Sequence, residues 1–162
     1  MTTSLPAPLT ALATTKRKQF LCDVFTTALE GGIGYWSSCS VYHWHDASSD
    51  DRLASDIDGF NAVIHPTESY WGVWDDERDA AAMIIDITVM ERGVRKFGRY
   101  CRGELDRHGN PVPEENQVPL SDGHYWRQWL VAEATNGEEG DYDADVADQI
   151  VQWGLFGKAI YG

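Results

Sequence analysis

The sequence predicts an α+β fold in which a small antiparallel sheet packs against about four helices within a single domain. Four segments repeat their apolar residues every three or four positions, as amphipathic helices do. Between the first two of these segments, short stretches alternate in polarity or are rich in Ile and Val, which is typical of strands. The 162 residues, 43% hydrophobic and 12% aromatic, are enough to form one buried core.

The chain is expected to start with an N-terminal arm, residues 1–15, and to fold as one domain over residues 16–162. The arm is rich in Thr, Ala and Pro and shows no clear period. A first helix is predicted from Lys16 onward, on one apolar face. That face consists of Phe20, Leu21, Val24, Phe25, Ala28 and Leu29. Gly31 and Gly32 follow this helix, so they favour a C-cap and a close backbone approach over a phosphate-binding loop, which would open a helix.

Three strand segments are expected after the first helix. Residues 35–45 alternate in the manner of a strand. One side carries Tyr35, Cys39, Val41, His43 and His45, and the other carries Trp36, Tyr42 and Trp44. Residues 60–65 and 82–88 are short apolar runs that we expect to pair antiparallel. The connection between these runs is predicted to form a further strand or an aromatic flap, because it contains Tyr70, Trp71, Val73 and Trp74.

A second helix is predicted to start with a capping box formed by Thr88 and Glu91 and to stop at Gly103. Its buried face is expected to be Met90, Val94, Phe97 and Cys101. Residues 106–119 contain three prolines and are predicted to be a loop.

Two more helices are predicted towards the C-terminus. The third opens at Ser121 or Asp122 and ends near Gly137. Its inner residues are predicted to be Trp126, Trp129, Leu130 and Ala134. The fourth starts near Asp143 and breaks at Gly154 or Gly157. Its inner residues are predicted to be Val146, Ile150 and Val151.

The charge of the chain limits its partners. A formal net charge of −13 disfavours direct binding to nucleic acid and to anionic membranes. The sequence has no apolar run long enough to span a membrane and no secretory leader, so a cytoplasmic protein is expected. Six of the 13 basic residues nevertheless fall between Arg92 and Arg107, which predicts a local positive surface.

A row of arginines on the second helix provides the predicted ligand-binding residues. Arg92, Arg95, Arg99 and Arg102 recur at helical spacing. Such a row is often only a solvated face, but guanidinium groups also hold phosphates while aromatic rings stack on bases. The sequence-based hypothesis is that this row shares one pocket with rings of Tyr35, Trp36 and Trp71.

Other chemistry finds little support in the sequence. Cys22, Cys39 and Cys101 lack metal-ligand spacing and are expected to be reduced thiols, mostly buried. The pair His43 and His45 has no clear further ligands, and the acidic residues 141–145 do not continue as a calcium loop. With no recognisable catalytic motif, we predict no metal, no cofactor and no catalytic residues, and the sequence favours a binding protein over an enzyme.

Two segments carry a resemblance to a known family. Residues 28–36 read ALEGGIGYW, and residues 145–162 read DVADQIVQWGLFGKAIYG. Both resemble segments in a family of small uncharacterised proteins from tailed phages, whose members are similar in an early ALEGG, a β-hairpin feeding a capped helix and a final helix ending in LFG. The resemblance spans most of the chain from about Phe20 onward. It implies a non-virion accessory protein that acts in the host cytoplasm, and it assigns no catalytic residues.

Three functions remain open at this point. The first is counter-defence by non-enzymatic capture of a nucleotide-type host immune signal. The second is an acidic inhibitor that mimics nucleic acid and blocks a host defence enzyme. The third is a small nucleotide-processing enzyme. A homo-oligomer is a further expectation if the aromatic residues near Trp71 and Trp74 are exposed.

Overall fold

A long helix opens the computed structural model, which describes residues 7–43, 60–66, 82–120 and 123–162. Helix α1 spans Ala7–Gly31 and so begins earlier than the predicted start at Lys16. Residues 7–15 are therefore helical rather than an irregular arm. Alanine and leucine favour a helix in this segment, and Pro8 is tolerated because the first turn has no use for its missing N–H.

The end of α1 follows the glycine-based prediction. The backbone amides of Gly32 and Ile33 both donate to the carbonyl of Ala28, at 2.8 and 2.9 Å. A Cβ atom on Gly32 would lie only 2.6 Å from the carbonyl oxygen of Ala144. The predicted C-cap with a close backbone approach is confirmed, and the partner in that approach is the start of the last helix.

Within the described residues, the sheet contains three antiparallel strands in the order β1-β2-β3. Their bounds are Ser37–His43 for β1, Asn61–Pro66 for β2 and Met83–Asp86 for β3. The predicted antiparallel pairing of the two short apolar runs is confirmed, with Asn61 opposite Asp86 and Ile64 opposite Met83. Strand β1 is shorter than the predicted 35–45 segment, since Tyr35 and Trp36 precede it.

A β-bulge in β1 overturns the predicted alternation of that strand. Ser40 is an extra residue between Cys39 and Val41, which pair with consecutive residues of β2. Consecutive positions of a strand lie on opposite faces, so the position of Cys39 is on the opposite face from those of Val41 and His43. The prediction that these three share one side was wrong, and His45 lies outside the described residues.

Helix α2, Ile87–Cys101, is capped by a different residue from the one predicted. The carboxylate of Asp86 accepts a hydrogen bond of 2.9 Å from the amide of Val89, so Asp86 is the N-cap and Thr88 lies inside the first turn. The predicted buried face is confirmed, since Met90, Val94, Phe97 and Cys101 are all buried. The helix stops before Gly103, which has a φ of 80°.

A short 3-10 helix, Glu114–Asn116, interrupts the loop that follows, and two helices complete the chain. Helix α3 spans Gly123–Ala134 and buries Trp129 as predicted. The prediction that Ala134 lies on the inner face was wrong, because Ala134 is exposed. Ala132, two residues earlier, is buried instead.

Helix α4, Ala144–Phe156, agrees closely with its prediction. Asp143 caps its start by accepting a 2.9 Å hydrogen bond from the amide of Val146. Gly157 caps its end with a φ of 72°, in the left-handed region that favours glycine. The predicted inner residues Val146, Ile150 and Val151 are buried.

Helix α4 packs against both α1 and α2, and its closest approach is to α2. A Cβ on Gly93 would lie 2.2 Å from the carbonyl oxygen of Ile150, and one on Gly154 would lie 2.5 Å from that of Val89. Two glycines therefore let the two helix backbones touch. The result is a single small α+β domain, in which about 52% of the described residues are helical and 15% are in strands.

Among the described residues, no helix combines the length and the apolarity that a membrane span requires.

Candidate anion-binding cavity

A tight turn follows α2 and is held by the side chain of Asp106. Its carboxylate accepts hydrogen bonds from the backbone amides of His108, at 2.8 Å, and Asn110, at 3.0 Å. The hydrogen bond from Asn110 lowers the pKa of Asp106 most, and the one from His108 lowers it further, so the pKa lies below its usual value. The turn therefore presents Arg107 and His108 in a fixed backbone geometry.

The turn packs directly on the end of α4. Gly109 has a φ of 81°, and a Cβ there would lie 2.3 Å from the carbonyl oxygen of Gly157. No other residue type fits this contact without displacing the backbone. The 106–110 turn, the C-terminal half of α4 and the segment that follows Gly157 are consequently brought together.

Together with Tyr100 near the end of α2, these parts line a cavity of about 390 Å³, called here the basic cavity. Its lining residues are Tyr100, Arg107, His108, Gln149, Trp153, Lys158, Ala159 and Ile160. A volume of this size lies in the range of small-molecule sites. One arginine, one histidine and one lysine thus line the same cavity as two aromatic rings.

Among the described residues, none that lines the basic cavity is acidic, although the protein carries a net charge of −13. Within the described part of the chain, no carboxylate lies within ion-pair distance of Arg107 or Lys158. The Nε of Arg107 instead donates to Nε2 of His108 at 3.2 Å, so this imidazole nitrogen acts as an acceptor. The described carboxylates therefore leave the positive charge of Arg107 and Lys158 without an ion-pair partner.

The aromatic part of the lining is Tyr100 and Trp153. Their ring centroids are 5.2 Å apart with an angle of 32° between the planes. Trp153 is only 1% exposed and forms part of the cavity floor, whereas Tyr100 is partly exposed. Tyr100 is thus the ring better placed to contact a planar group in the cavity.

The two predicted ligand-binding rings before β1 take part in a different arrangement. Trp36 is 1% exposed, and its Nε1 donates to a carboxylate oxygen of Asp148 at 2.8 Å. The hydroxyl of Tyr35 donates to the other oxygen of Asp148 at 2.7 Å. Desolvation raises the pKa of Tyr35, and the hydrogen bond to the Asp148 carboxylate raises it further. The Trp36 ring is closed to a ligand, and neither ring lies over the arginine row.

Asp148 is buried with hydrogen-bond donors, and no cation of the described residues pairs with it. Besides Tyr35 and Trp36, the Nε2 of Gln152 donates to it at 2.8 Å. Burial raises the pKa of Asp148, and the three donors lower it only in part. We call Tyr35, Trp36, Asp148 and Gln152 the polar network.

The arginine row is largely engaged in ion pairs along the surface. Arg95 pairs with Glu91 at 3.1 Å, and Arg102 pairs with Glu104 at 2.6 Å. The Nε of Arg99 lies 3.8 Å from Glu104. Two grooves lie beside this row, with volumes of about 580 and 240 Å³. The described residues that line each groove include a glutamate and no aromatic ring. The structure thus favours the solvated-face interpretation of the row.

Arg92, the fourth member of the row, has a structural role. Its Nε donates to the carbonyl of Gly154 at 2.8 Å. Lys96 also approaches the end of α4, with its Nζ 3.3 Å from the position of a Cβ on Gly157. Cations are stabilised near the C-terminus of a helix, because the carbonyl groups there carry partial negative charge.

The remaining predicted residues are only partly described. Trp71 lies outside the described residues, and so does Trp74. In the part of the chain that is described, no group of three or more potential ligands could hold a metal ion. Cys22 and Cys101 are buried and Cys39 is partly exposed, so the predicted burial of most thiols is confirmed.

Sequence reasoning missed Arg107, His108 and Lys158 as members of one site. The signals were present but local: an Asp-Arg-His-Gly-Asn turn at 106–110, and a lysine directly after the helix-capping Gly157. Nothing in their spacing indicates that residues so far apart along the chain meet. Their juxtaposition depends on the contact between Gly109 and Gly157.

Comparisons of this chain with protein-family models, with curated proteins and with solved structures each found no match.

Proposed function

We propose that this protein binds a small anionic molecule of nucleotide type in the basic cavity, without catalysing its conversion. The observation that carries the proposal is the lining itself. Arg107, His108 and Lys158 line one cavity together with Tyr100, and none of the described residues that line it carries a carboxylate. Guanidinium and ammonium groups suit phosphate, and an adjacent ring suits a base or another planar group.

Local charge explains how an acidic protein can bind an anion. Interactions between exposed charges fade over roughly 10 Å in physiological salt, so distant carboxylates weigh little against cations at contact distance. The lining also contains the amide of Gln149 and the apolar side chains of Ala159 and Ile160. Its exposed surface is more polar than apolar, which suits a charged ligand better than an apolar one.

In the wider proposal, the protein is a phage accessory protein that acts in the host cytoplasm and sequesters a nucleotide-type signal of host defence. The support for this setting is the resemblance of residues 28–36 and 145–162 to the tailed-phage proteins. The binding proposal does not depend on the setting, because it is argued from the cavity alone.

The test is a binding measurement with mononucleotides, ADP-ribose, cyclic dinucleotides and inorganic phosphate as probes. Calorimetry should detect binding of at least one ring-bearing phosphate. Replacing Arg107→Gln or Lys158→Gln should weaken it roughly tenfold or more, since a hydrogen bond to a charged group contributes about 1.5–3 kcal/mol. Unchanged ligand recovered after incubation would distinguish binding from turnover.

Arg95→Gln is the matched control for these variants. It removes the same charge from a side chain that is 73% exposed and paired with Glu91 on the surface of α2. Its affinity should equal that of the wild type. Equal losses in Arg95→Gln and Arg107→Gln would point to a general charge effect, and no binding of any probe would overturn the proposal.

A second candidate function is an acidic decoy for a nucleic-acid-binding enzyme. The connection between α3 and α4 exposes Glu138, Glu139 and Asp141, followed by Asp145 in the first turn of α4. Charge mimicry of this kind depends on salt. Capture of a partner that persists unchanged in high salt would count against it.

A further inference from the structure

The wall of the basic cavity that carries Lys158 is attached to α4 through Gln152. The side-chain oxygen of Gln152 accepts hydrogen bonds from the backbone amides of Ile160 and Tyr161, both at 2.7 Å. Its Nε2 also approaches the carbonyl of Tyr161 at 3.3 Å while donating to Asp148. Gln152 is fully buried, so these contacts form without competition from solvent.

The same segment is held from its other side by Trp36. The ring of Tyr161 stacks on that of Trp36, with centroids 4.8 Å apart and planes within 6° of parallel. Phe156 meets the edges of both rings. One cluster therefore joins the residues before β1, the middle of α4 and the segment 158–162.

The two sequence segments that carry the phage resemblance are the two halves of this cluster. Tyr35 and Trp36 come from the first segment, and Asp148, Gln152 and Tyr161 come from the second. The function proposed above uses none of these side chains directly. Their arrangement nevertheless determines where the chain runs between Gly157 and Tyr161, and hence where Lys158 lies.

We propose that the polar network positions Lys158 for anion binding, with Gln152 as the positioning residue. The proposal rests on the proposed function, because it concerns affinity at the same cavity. Gln152 touches no ligand in this scheme. It acts by holding the backbone of Ile160 and Tyr161, and this limits the positions that the nearby Lys158 can take. A lysine side chain loses conformational entropy when it binds a ligand, and this cost is smaller when its backbone is already held in place.

Gln152→Leu tests this scheme, because it keeps the approximate volume and removes both polar atoms. Affinity for the nucleotide probe found with the wild type should fall about as far as in Lys158→Gln, roughly tenfold. Hydrogen exchange at the amides of Ile160 and Tyr161 should become faster at the same time. Tyr142→Phe is the control, since it removes only the hydroxyl group of a partly buried side chain. The ring of Tyr142 contacts Phe20 and Trp129 and does not line the cavity.

A double variant separates positioning from general loss of stability. If Gln152 acts through Lys158, Gln152→Leu combined with Lys158→Gln should bind no more weakly than Lys158→Gln alone. Additive losses would overturn the proposal. Slow exchange retained at Ile160 and Tyr161 in Gln152→Leu would also overturn it, because Gln152 would then not hold the segment.

Trp36→Phe provides a second variant in case Gln152→Leu does not fold. It keeps a ring against Tyr161 and removes the donor to Asp148, so a smaller loss of affinity, about two- to fivefold, is expected. Wild-type affinity in a folded Trp36→Phe would contradict a role for the network. Failure of the wild type to bind any probe would instead overturn the proposed function and the affinity claim with it.

Discussion

At the scale of single residues, Asp148 is the most unusual group in the described part of the chain. It is 6% exposed and accepts hydrogen bonds from Tyr35, Trp36 and Gln152, yet no cation lies against it. Desolvation favours its neutral form and raises its pKa. The sequence predicted a role for Tyr35 and Trp36 in a ligand pocket; their polar atoms are instead used to satisfy this carboxyl group.

Asp148→Asn should remove a loss of folding stability that the wild type suffers as pH rises. Because the folded-state pKa of Asp148 is raised, its contribution to stability is present below the usual carboxyl pKa of about 4 and is lost as pH rises through the folded-state value. The free energy of unfolding of the variant should therefore increase relative to that of the wild type between pH 4 and neutrality. Urea denaturation across this range measures the difference.

The control for Asp148→Asn is Glu115→Gln, at an exposed position in the 3-10 helix. It also removes one carboxylate, but from a solvent-exposed side chain, so its difference from the wild type should not grow in the same way. A constant difference for Asp148→Asn would mean that Asp148 ionises normally in the folded protein.

Cys101 should be chemically inert in the folded protein. Burial raises the pKa of its thiol to about 12, outweighing the opposing effect of Arg102. Because only the thiolate reacts, alkylation by iodoacetamide at pH 8 should be slower than in urea by roughly a hundredfold or more. Mass spectrometry of the modified peptides measures this rate, with the partly exposed Cys39 as the internal comparison. Similar rates at the two residues would contradict it.

At the scale of elements, helix positions were predictable and cap positions only partly so. The inner faces of α2 and α4 follow from apolar spacing, which depends on local periodicity alone. The start of α2 does not, because Asp86 and Thr88 both have side chains able to cap, and pairing of β3 places Asp86 at the boundary. The bulge at Ser40 was equally hidden, since strand register is a property of two segments.

Gly93→Ala tests the contact between α2 and α4. The added methyl group would lie 2.2 Å from the carbonyl oxygen of Ile150, so the helices must separate. Overpacking of this kind typically costs about 1–3 kcal/mol. Gly34→Ala is the control, because a Cβ there would meet no atom within 4 Å. Denaturation should show a large loss for the first variant and little for the second; equal stability would contradict the close crossing.

At the scale of the whole molecule, Arg17 connects three helices. From α1, its Nε bonds Glu91 of α2 at 2.9 Å, and its two terminal nitrogens bond the side chain and the backbone carbonyl of Glu133 of α3, at 2.8 and 3.0 Å. A contact of 3.2 Å to Asn136 completes the set. The side chain is 20% exposed, so solvent screens these pairs less than it does the surface pairs of the arginine row.

Arg17→Lys should therefore destabilise the fold despite retaining the charge. An ammonium group cannot reproduce the forked geometry that reaches α2 and α3 together, and the expected loss is about 1–3 kcal/mol. Arg102→Lys, in an exposed pair with Glu104, should cost less than about 1 kcal/mol. Thermal and urea denaturation compare the two, and equal losses would show that the fork of Arg17 contributes little.

The sequence by itself determined the fold class, the four helices of the described residues, the antiparallel pairing of the apolar runs 60–65 and 82–88 and most of the described buried positions. These follow from periodicity, composition and turn residues, which act over a few neighbouring positions. Only the tertiary structure decided which polar groups meet. Arg107 and Lys158 come together because Gly109 allows the backbone contact with Gly157, and Tyr35 reaches Asp148 because α1 and α4 pack side by side. Such meetings depend on the packing of distant segments, which local sequence patterns do not specify.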